Sequence, residues 1–153
     1  MKLPRALVVG LFCLTVVAVP ALHLHTSSKA GKFSIALHRI LESGGISLID
    51  LSRVERFSWD ELYVFGPYTS RESNCRALSI NWVKCRLLFP AAVDEGESIL
   101  AFKSGGDVVH VEHHPHVNGD FLAGGLHPQP LQRSSARFYV HPSGTRFRLE
   151  YKN

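Results

Sequence analysis

The chain has 153 residues, of which 45% are hydrophobic and 20% are charged, and its formal net charge is +4. This composition is typical of a folded globular protein and excludes an intrinsically disordered chain. Lys2 and Arg5 lie in an apolar N-terminal segment, which leaves 15 basic residues against 13 acidic ones in the remainder. So small an excess of positive charge argues against a nucleic-acid partner.

The N-terminal segment has the features of an export signal. Lys2 and Arg5 form a positively charged region, and residues 6–22 form an uncharged apolar run. This run fits the core of a signal peptide that is cleaved after Ala21. It is also just long enough for an uncleaved transmembrane anchor, and both alternatives stay open. In either case the charge asymmetry predicts that the rest of the chain is exported across the inner membrane.

These signals divide the chain into three parts. Residues 1–25 are the signal peptide or anchor, residues 26–32 are a polar spacer, and residues 33–153 are a single exported domain. The expected location is the periplasmic side of the cell envelope, where residues 6–22, when retained, hold the protein in the inner membrane. The membrane is therefore the first partner that the sequence predicts.

Two elements are predicted at the start of the exported domain. Apolar residues recur at helical spacing over residues 33–42, and Gly44-Gly45 ends the pattern, which indicates a short helix. The segment 46–51 alternates apolar and polar residues and is predicted to be a strand.

The stretch 57–70, FSWDELYVFGPYTS, combines several aromatic residues with an acidic pair and a Gly-Pro turn. Its pattern predicts a strand over residues 62–65 that is buried on at least one face and is stopped by Gly66-Pro67. A helix is predicted over residues 70–78, with Thr69 or Ser70 as its N-cap.

The segment 59–69, WDELYVFGPYT, resembles the W-D-x-x-Y-x-F-x-P-Y-T signature of a family of small bacterial exported proteins and lipoproteins. In that family the element precedes a short helix and a Trp-containing strand, and Ile80-Asn81-Trp82 stands at the corresponding place here. The resemblance covers residues 46–151 and implies an exported protein, while the family brings no assigned activity with it. This chain lacks the lipid-attachment Cys of the family, so a different mode of anchoring is expected.

Four side chains of this element are candidate ligand- or partner-binding residues: Trp59, Asp60, Tyr63 and Tyr68. One interpretation is a shallow aromatic groove for a peptide, glycan or lipid. The other is core packing, in which the rings wedge a helix against a sheet and Asp60 caps a turn by accepting backbone N–H bonds. Asp60 and Glu61 are adjacent on a strand and point to opposite faces, which makes them poor candidates for a catalytic carboxylate pair.

Cys75 and Cys85 are close in sequence within the exported part of the chain. In an oxidising compartment this spacing predicts a disulfide bond, the alternative being two separate thiols. Residues 82–89 are rich in Trp, Val, Leu and Phe and are predicted to form a strand that Pro90 ends.

The remaining elements are predicted to be hairpins and a loop. Residues 99–102 and 108–112 form one hairpin, and residues 136–140 and 146–151 form another. Residues 117–135 are rich in Gly, Pro and Ser and are predicted to be a long surface loop, a kind of segment that often carries function.

A histidine cluster is the most prominent chemical feature: His110, His113, His114 and His116. On a strand, His110, Glu112 and His114 share one face, and imidazole with carboxylate suits Zn²⁺, Cu²⁺ or Ni²⁺. The cluster lacks the H-E-x-x-H register, however, and Pro115 interrupts the alternation. A periplasmic metal-binding protein is therefore the alternative function, and no metal ion or other cofactor is assigned.

The predicted fold is α+β, an antiparallel sheet of about five or six strands with one or two short helices packed on it. No nucleophile–base pair, phosphate loop or G-x-S-x-G motif is visible, so the sequence does not favour an enzyme. The leading prediction is a non-enzymatic envelope protein. It binds an envelope protein or a small ligand through the aromatic turn or the 117–135 loop.

Overall fold

The computed structural model describes residues 30–124 and 129–153. The predicted signal peptide or anchor and most of the spacer lie outside these ranges. The helices are α1 (Lys32–Glu42), α2 (Arg71–Ala77) and α3 (Trp82–Leu88). The strands are β1 (Leu48–Asp50), β2 (Glu61–Phe65), β3 (Glu97–Ser104), β4 (Asp107–Pro115), β5 (Leu131–Gln132), β6 (Arg137–Ser143) and β7 (Arg146–Tyr151).

The strands form two sheets in which all neighbours are antiparallel. The first sheet has the order β4-β3-β2-β5, and the second has the order β1-β6-β7. The α+β prediction is therefore confirmed. The described residues contain seven strands in two sheets, where the sequence predicts one sheet with about five or six strands.

Strand β3 lies in the middle of the molecule and is buried on both faces. Successive strand residues point to opposite sides, so Leu100 and Phe102 enter the main core while Ile99 and Ala101 enter a second core. Burial on both faces accounts for the continuous apolar run ILAF in its sequence.

The main core joins α1 to both sheets. Phe102 is at its centre, with the rings of Phe33 and Trp59 at centroid distances of 4.9 Å and 5.5 Å. Phe138 of β6 and Leu149 of β7 close the core from the second sheet. The apolar face of α1 that the sequence predicts is therefore the face that packs on the sheets.

The second core lies between the first sheet and the helices α2 and α3. Residues 82–89 are predicted to be a strand, but residues 82–88 form helix α3, so that prediction is wrong. The side chain of Asn81 accepts a hydrogen bond from the backbone N–H of Lys84 (2.9 Å) and caps the first turn. Cys85 is buried in the second core whereas Val83 and Leu87, which would share its face on a strand, are exposed, so the burial pattern fits a helix rather than a strand.

Most other predicted elements are confirmed with small changes at their ends. The hydroxyl group of Ser70 caps α2 by accepting from Ser73 N (3.2 Å). Both predicted hairpins are present, as β3-β4 and β6-β7. The segment 117–135 departs from the prediction of a surface loop, because it contains β5 and because Phe121 is buried in the main core.

Cys75 and Cys85 form the predicted disulfide bond, which links α2 to α3. Replacing both cysteines with alanine is expected to lower the free energy of unfolding by about 3 kcal/mol, because the bond closes a short loop in the unfolded chain. Urea denaturation with and without a reductant measures this change. A reductant must destabilise the native protein and leave the double variant unchanged. Equal stability of the native protein and the double variant in the absence of reductant would contradict the prediction.

Candidate functional site

The structure places the predicted aromatic residues in different environments. Trp59 is 0% exposed in the main core, whereas Tyr68 is 79% exposed in the turn before α2. Tyr63 packs against the second core, on the opposite side of the first sheet from Trp59. Because the sheet separates these rings, Trp59 and Tyr63 do not line one groove.

Asp60 caps a turn, as the core interpretation predicts. One of its carboxylate oxygens, Oδ2, accepts a hydrogen bond from the backbone N–H of Gly105 (2.7 Å) in the β3-β4 turn. Its own N–H donates to the carbonyl oxygen of Lys103 (2.8 Å). Asp60 therefore attaches the start of β2 to the end of β3.

Tyr63 is partly buried and interacts mainly with its own strand. Its ring stacks on Phe65 at a centroid distance of 6.0 Å, and its hydroxyl group lies 3.4 Å from a carboxylate oxygen of Glu61. Burial raises the pKa of Tyr63, and the neighbouring Glu61 raises it further. The hydroxyl group therefore stays protonated and donates to that carboxylate.

Glu112 of the histidine strand holds the N-terminus of α1. Its carboxylate accepts hydrogen bonds from the backbone N–H groups of Phe33 (3.1 Å) and Ser34 (2.7 Å), and His110 Nε2 lies at 2.8 Å. The residue before the helix, Gly31, has no side chain to cap it, and a Cβ atom at this position would collide with Glu112. A buried carboxylate from a distant strand thus replaces the usual local N-cap.

His114 is fully buried beside the same helix. Its Nε2 atom donates to the carbonyl oxygen of Gly119 (2.5 Å), so in the neutral ring Nδ1 accepts from the hydroxyl group of Ser34 (2.8 Å). Asn118 Nδ2 in turn donates to that hydroxyl oxygen (2.8 Å). Burial lowers the pKa of His114 to about 4, despite the opposing effects of the Gly119 carbonyl and the Glu112 carboxylate.

The other two histidines of the cluster have separate partners. His113 Nδ1 lies 3.3 Å from a carboxylate oxygen of Glu97, and His116 Nε2 lies 3.0 Å from the hydroxyl oxygen of Ser98. Across residues 30–124 and 129–153, no group of three or more His, Cys, Asp or Glu side chains is arranged to hold a metal ion. The face shared by His110, Glu112 and His114 instead receives α1.

Arg133 is a structural centre that no sequence pattern indicated. Its guanidinium donates to the carbonyl oxygens of Ser52 (3.2 Å), Phe57 (3.3 Å) and Trp59 (3.3 Å), and it lies 5.4 Å from the Trp59 ring centre. A cleft of about 490 Å³ opens beside it. The two carboxylates that line this cleft are engaged within the fold, since Asp60 accepts from Gly105 N and Asp50 accepts from Ser52 N.

The outer side of α3 carries an exposed apolar surface that sequence reasoning missed by predicting a strand. Leu87 is 81% exposed, Val83 is 69% exposed and Trp82 is 50% exposed. The guanidinium carbon of Arg86 lies 5.8 Å from the Trp82 ring centre. Residues four apart lie on the same side of a helix, so these residues form one surface, the α3 face: Trp82, Val83, Arg86 and Leu87.

The inner side of α3 holds this face in place. Cys85 is joined to α2 by the disulfide bond and is buried, and Phe89 follows in the second core. The signal that would have found the helix is Asn81, a favoured N-cap residue directly before it.

In the part of the chain that the structure describes, no helix combines the length and the apolar character needed to span a bilayer. The longest helix there, α1, has 11 residues. The predicted signal peptide or anchor, residues 6–22, lies outside the described residues.

The chain matches no protein-family model, no curated protein and no solved structure. The resemblance of the segment 59–69 to the bacterial exported-protein signature therefore stays a prediction. Function has to be inferred from the side chains themselves.

Proposed function

We propose that the chain is a non-enzymatic exported domain of the bacterial cell envelope that binds a partner through the α3 face. The observation that carries this proposal is the exposure of Trp82, Val83 and Leu87 side by side on a helix that a disulfide bond braces. Exposed apolar residues are usually scattered singly over a monomer, whereas a contiguous group is typical of an interaction site. Aromatic residues and arginine are enriched in such sites.

The disulfide bond supports an extracytoplasmic location. Disulfide bonds persist in oxidising compartments such as the periplasm and are rare in the cytosol. The bond between Cys75 and Cys85 agrees with the export signal predicted from Lys2, Arg5 and the apolar run 6–22. We propose that this run, when it is retained, tethers the domain to the inner membrane.

The use of the polar side chains favours binding over catalysis or metal handling. Asp60, Glu112 and His114 each form hydrogen bonds that join distant parts of the fold. Tyr68 is the one exposed residue among the aromatic candidates; it lies in the turn before α2, and its backbone N–H donates to the carbonyl oxygen of Val93, which is buried in the second core. It therefore adds an aromatic ring with a polar tip to the helical part of the protein.

Photocrosslinking in the envelope of a bacterial host tests this proposal. A photoreactive phenylalanine analogue in place of Leu87 is expected to form a specific adduct with a protein or a lipid, because this side chain is directed away from the core. The matched control is the same analogue in place of Arg53, whose side chain is 86% exposed on a different part of the surface.

Mass analysis of the products decides the outcome. An adduct at position 87 that is absent at position 53 supports a binding role for the α3 face. Identical adducts at both positions, or none at position 87, would show that this face binds nothing in the envelope, and the proposal would be wrong.

A further inference from the structure

We infer that the partner of the α3 face is an anionic lipid surface. This inference rests on the proposed function, because it names the partner of the same face. It makes α3 a membrane-interface helix that lies in the plane of the lipid headgroups.

The first observation is the kind of side chains that are exposed. Trp82 provides the amphipathic ring that is enriched at the boundary between lipid headgroups and acyl chains. Val83 and Leu87 lie on the same side of the helix and are directed away from the buried Cys85. Helices that bind membrane interfaces likewise place Trp and Leu on one side and bury it shallowly in the bilayer.

The second observation is the charge around the face. Helix α3 carries Lys84 and Arg86 and no Asp or Glu, and the segment 73–93 around it adds Arg76, with Glu72, Asp94 and Glu95 as the first acidic residues on either side. Lys84 has one acidic neighbour outside the segment, Asp107, at 3.8 Å. This ion pair is exposed and therefore weak, so lipid phosphate groups can replace it. A basic surface around exposed apolar residues is complementary to an anionic bilayer.

The third observation is the shape of the face. A side chain as exposed as Leu87 is not enclosed by the elements around it, so it does not lie in a pocket. Strong protein–protein contacts usually bury their anchor residues in pockets sealed from water. A bilayer requires no such pocket, because it deforms around an inserted side chain.

The predicted tether strengthens a weak interaction of this kind. Ala30 pairs with His113 and Lys32 begins α1, so four spacer residues are left, which reach at most about 14 Å when fully extended and hold the domain close to the bilayer that anchors it. Docking is then an intramolecular event at a high effective concentration of lipid. Under these conditions, a face with few anchoring residues is sufficient to bind the bilayer.

The test uses the full chain in vesicles that contain brominated lipids, which quench nearby tryptophan. The chain has two tryptophans, and Trp59 is buried in the main core while Trp82 lies on the α3 face. Quenching is expected in phosphatidylcholine vesicles that contain phosphatidylglycerol, and it is expected to disappear in the Trp82→Phe variant. Neutral vesicles of phosphatidylcholine alone are expected to quench much less.

Two variants separate the apolar and the charged contributions. Val83→Glu/Leu87→Glu is expected to abolish the quenching of Trp82, whereas Leu48→Glu, at an exposed position of the second sheet, leaves it unchanged. Lys84→Gln/Arg86→Gln is expected to lower the ratio of docked to undocked protein by about 25-fold, since each basic residue near an anionic surface contributes about fivefold. Unchanged urea midpoints confirm that the variants are folded.

The outcomes distinguish this inference from the proposed function. Quenching that is equal in neutral and anionic vesicles and insensitive to Val83→Glu/Leu87→Glu would overturn the inference. When Leu87 then crosslinks to a protein, the α3 face is a protein-binding surface and the proposed function stands. When position 87 crosslinks to nothing, the inference and the proposed function are both wrong. Lipid adducts at position 87 together with anion-dependent quenching support both.

Discussion

A Glu112→Ala substitution is expected to lower the free energy of unfolding by about 4 kcal/mol. It leaves two buried N–H groups at the start of α1 without an acceptor, and each such group costs about 1–3 kcal/mol. These are the backbone N–H groups of Phe33 and Ser34, which share the Glu112 carboxylate. Loss of the negative charge at the helix N-terminus adds to the effect. Urea denaturation followed by circular dichroism at neutral pH measures it.

The matched comparison is Glu95→Ala, which removes a carboxylate from an exposed loop position and is expected to change stability by less than about 0.5 kcal/mol. Glu112→Gln preserves the shape of the side chain but turns an amide group toward one of the two N–H donors. Its loss of stability is therefore expected to lie between those of Glu112→Ala and Glu95→Ala. In amide hydrogen exchange, Phe33 and Ser34 exchange faster in Glu112→Ala. If Glu112→Ala were as mild as Glu95→Ala, the carboxylate would not be what holds α1 to β4.

The elements that the sequence predicts correctly are those with a local cause. The apolar spacing of α1, the turn between β3 and β4 and the Ser70 cap of α2 each depend on residues close together in the chain. The same is true of the disulfide bond, whose cysteines are ten positions apart. Contacts between residues close in the chain leave a pattern in a short segment of sequence, and hydrophobic periodicity is measured over such a segment.

The wrong strand prediction for residues 82–89 also comes from reading a short window of sequence. Trp82, Val83 and Leu87 suit a half-buried strand, and a short apolar segment fits both periodicities. The helix forms because Asn81 caps it and because the disulfide bond holds Cys85 toward α2. Its most apolar residues consequently face solvent, which no hydrophobic pattern predicts.

The surroundings of the histidine cluster and of the aromatic candidates were harder to predict because their contacts are of long range. Glu112 lies 78 positions from Ser34 in the sequence, and no local motif records that pairing. One interpretation placed the aromatic residues in a shared groove, because the sequence pattern indicated a strand buried on at least one face and did not show that both faces are buried. The first sheet instead lies between two cores, so Trp59 and Tyr63 belong to different ones.

Acid is expected to destabilise the protein by about 3 kcal/mol through His114 alone, because an unfolded histidine binds a proton that the folded one excludes. Burial lowers the pKa of this imidazole from 6.5 to about 4. Between these two values the unfolded state binds more protons than the folded state, so stability falls as the pH falls. The contribution is complete above the unfolded pKa and is lost as the pH approaches the folded one.

His114→Gln isolates this contribution, because glutamine can donate to the Gly119 carbonyl and accept from Ser34 while staying neutral at every pH of interest. The variant is expected to be less stable than the native protein at neutral pH but to lose less stability on acidification. The control is His38→Gln, which replaces a partly exposed histidine of α1 beside Glu42 (3.2 Å) and leaves the His114–Ser34 contact intact. Carboxylates titrate in all three proteins, so their contributions cancel in the comparison. If the His114→Gln variant kept the native pH dependence, another group would be responsible for the acid sensitivity. The neutral state of the buried His114 would then not be its cause.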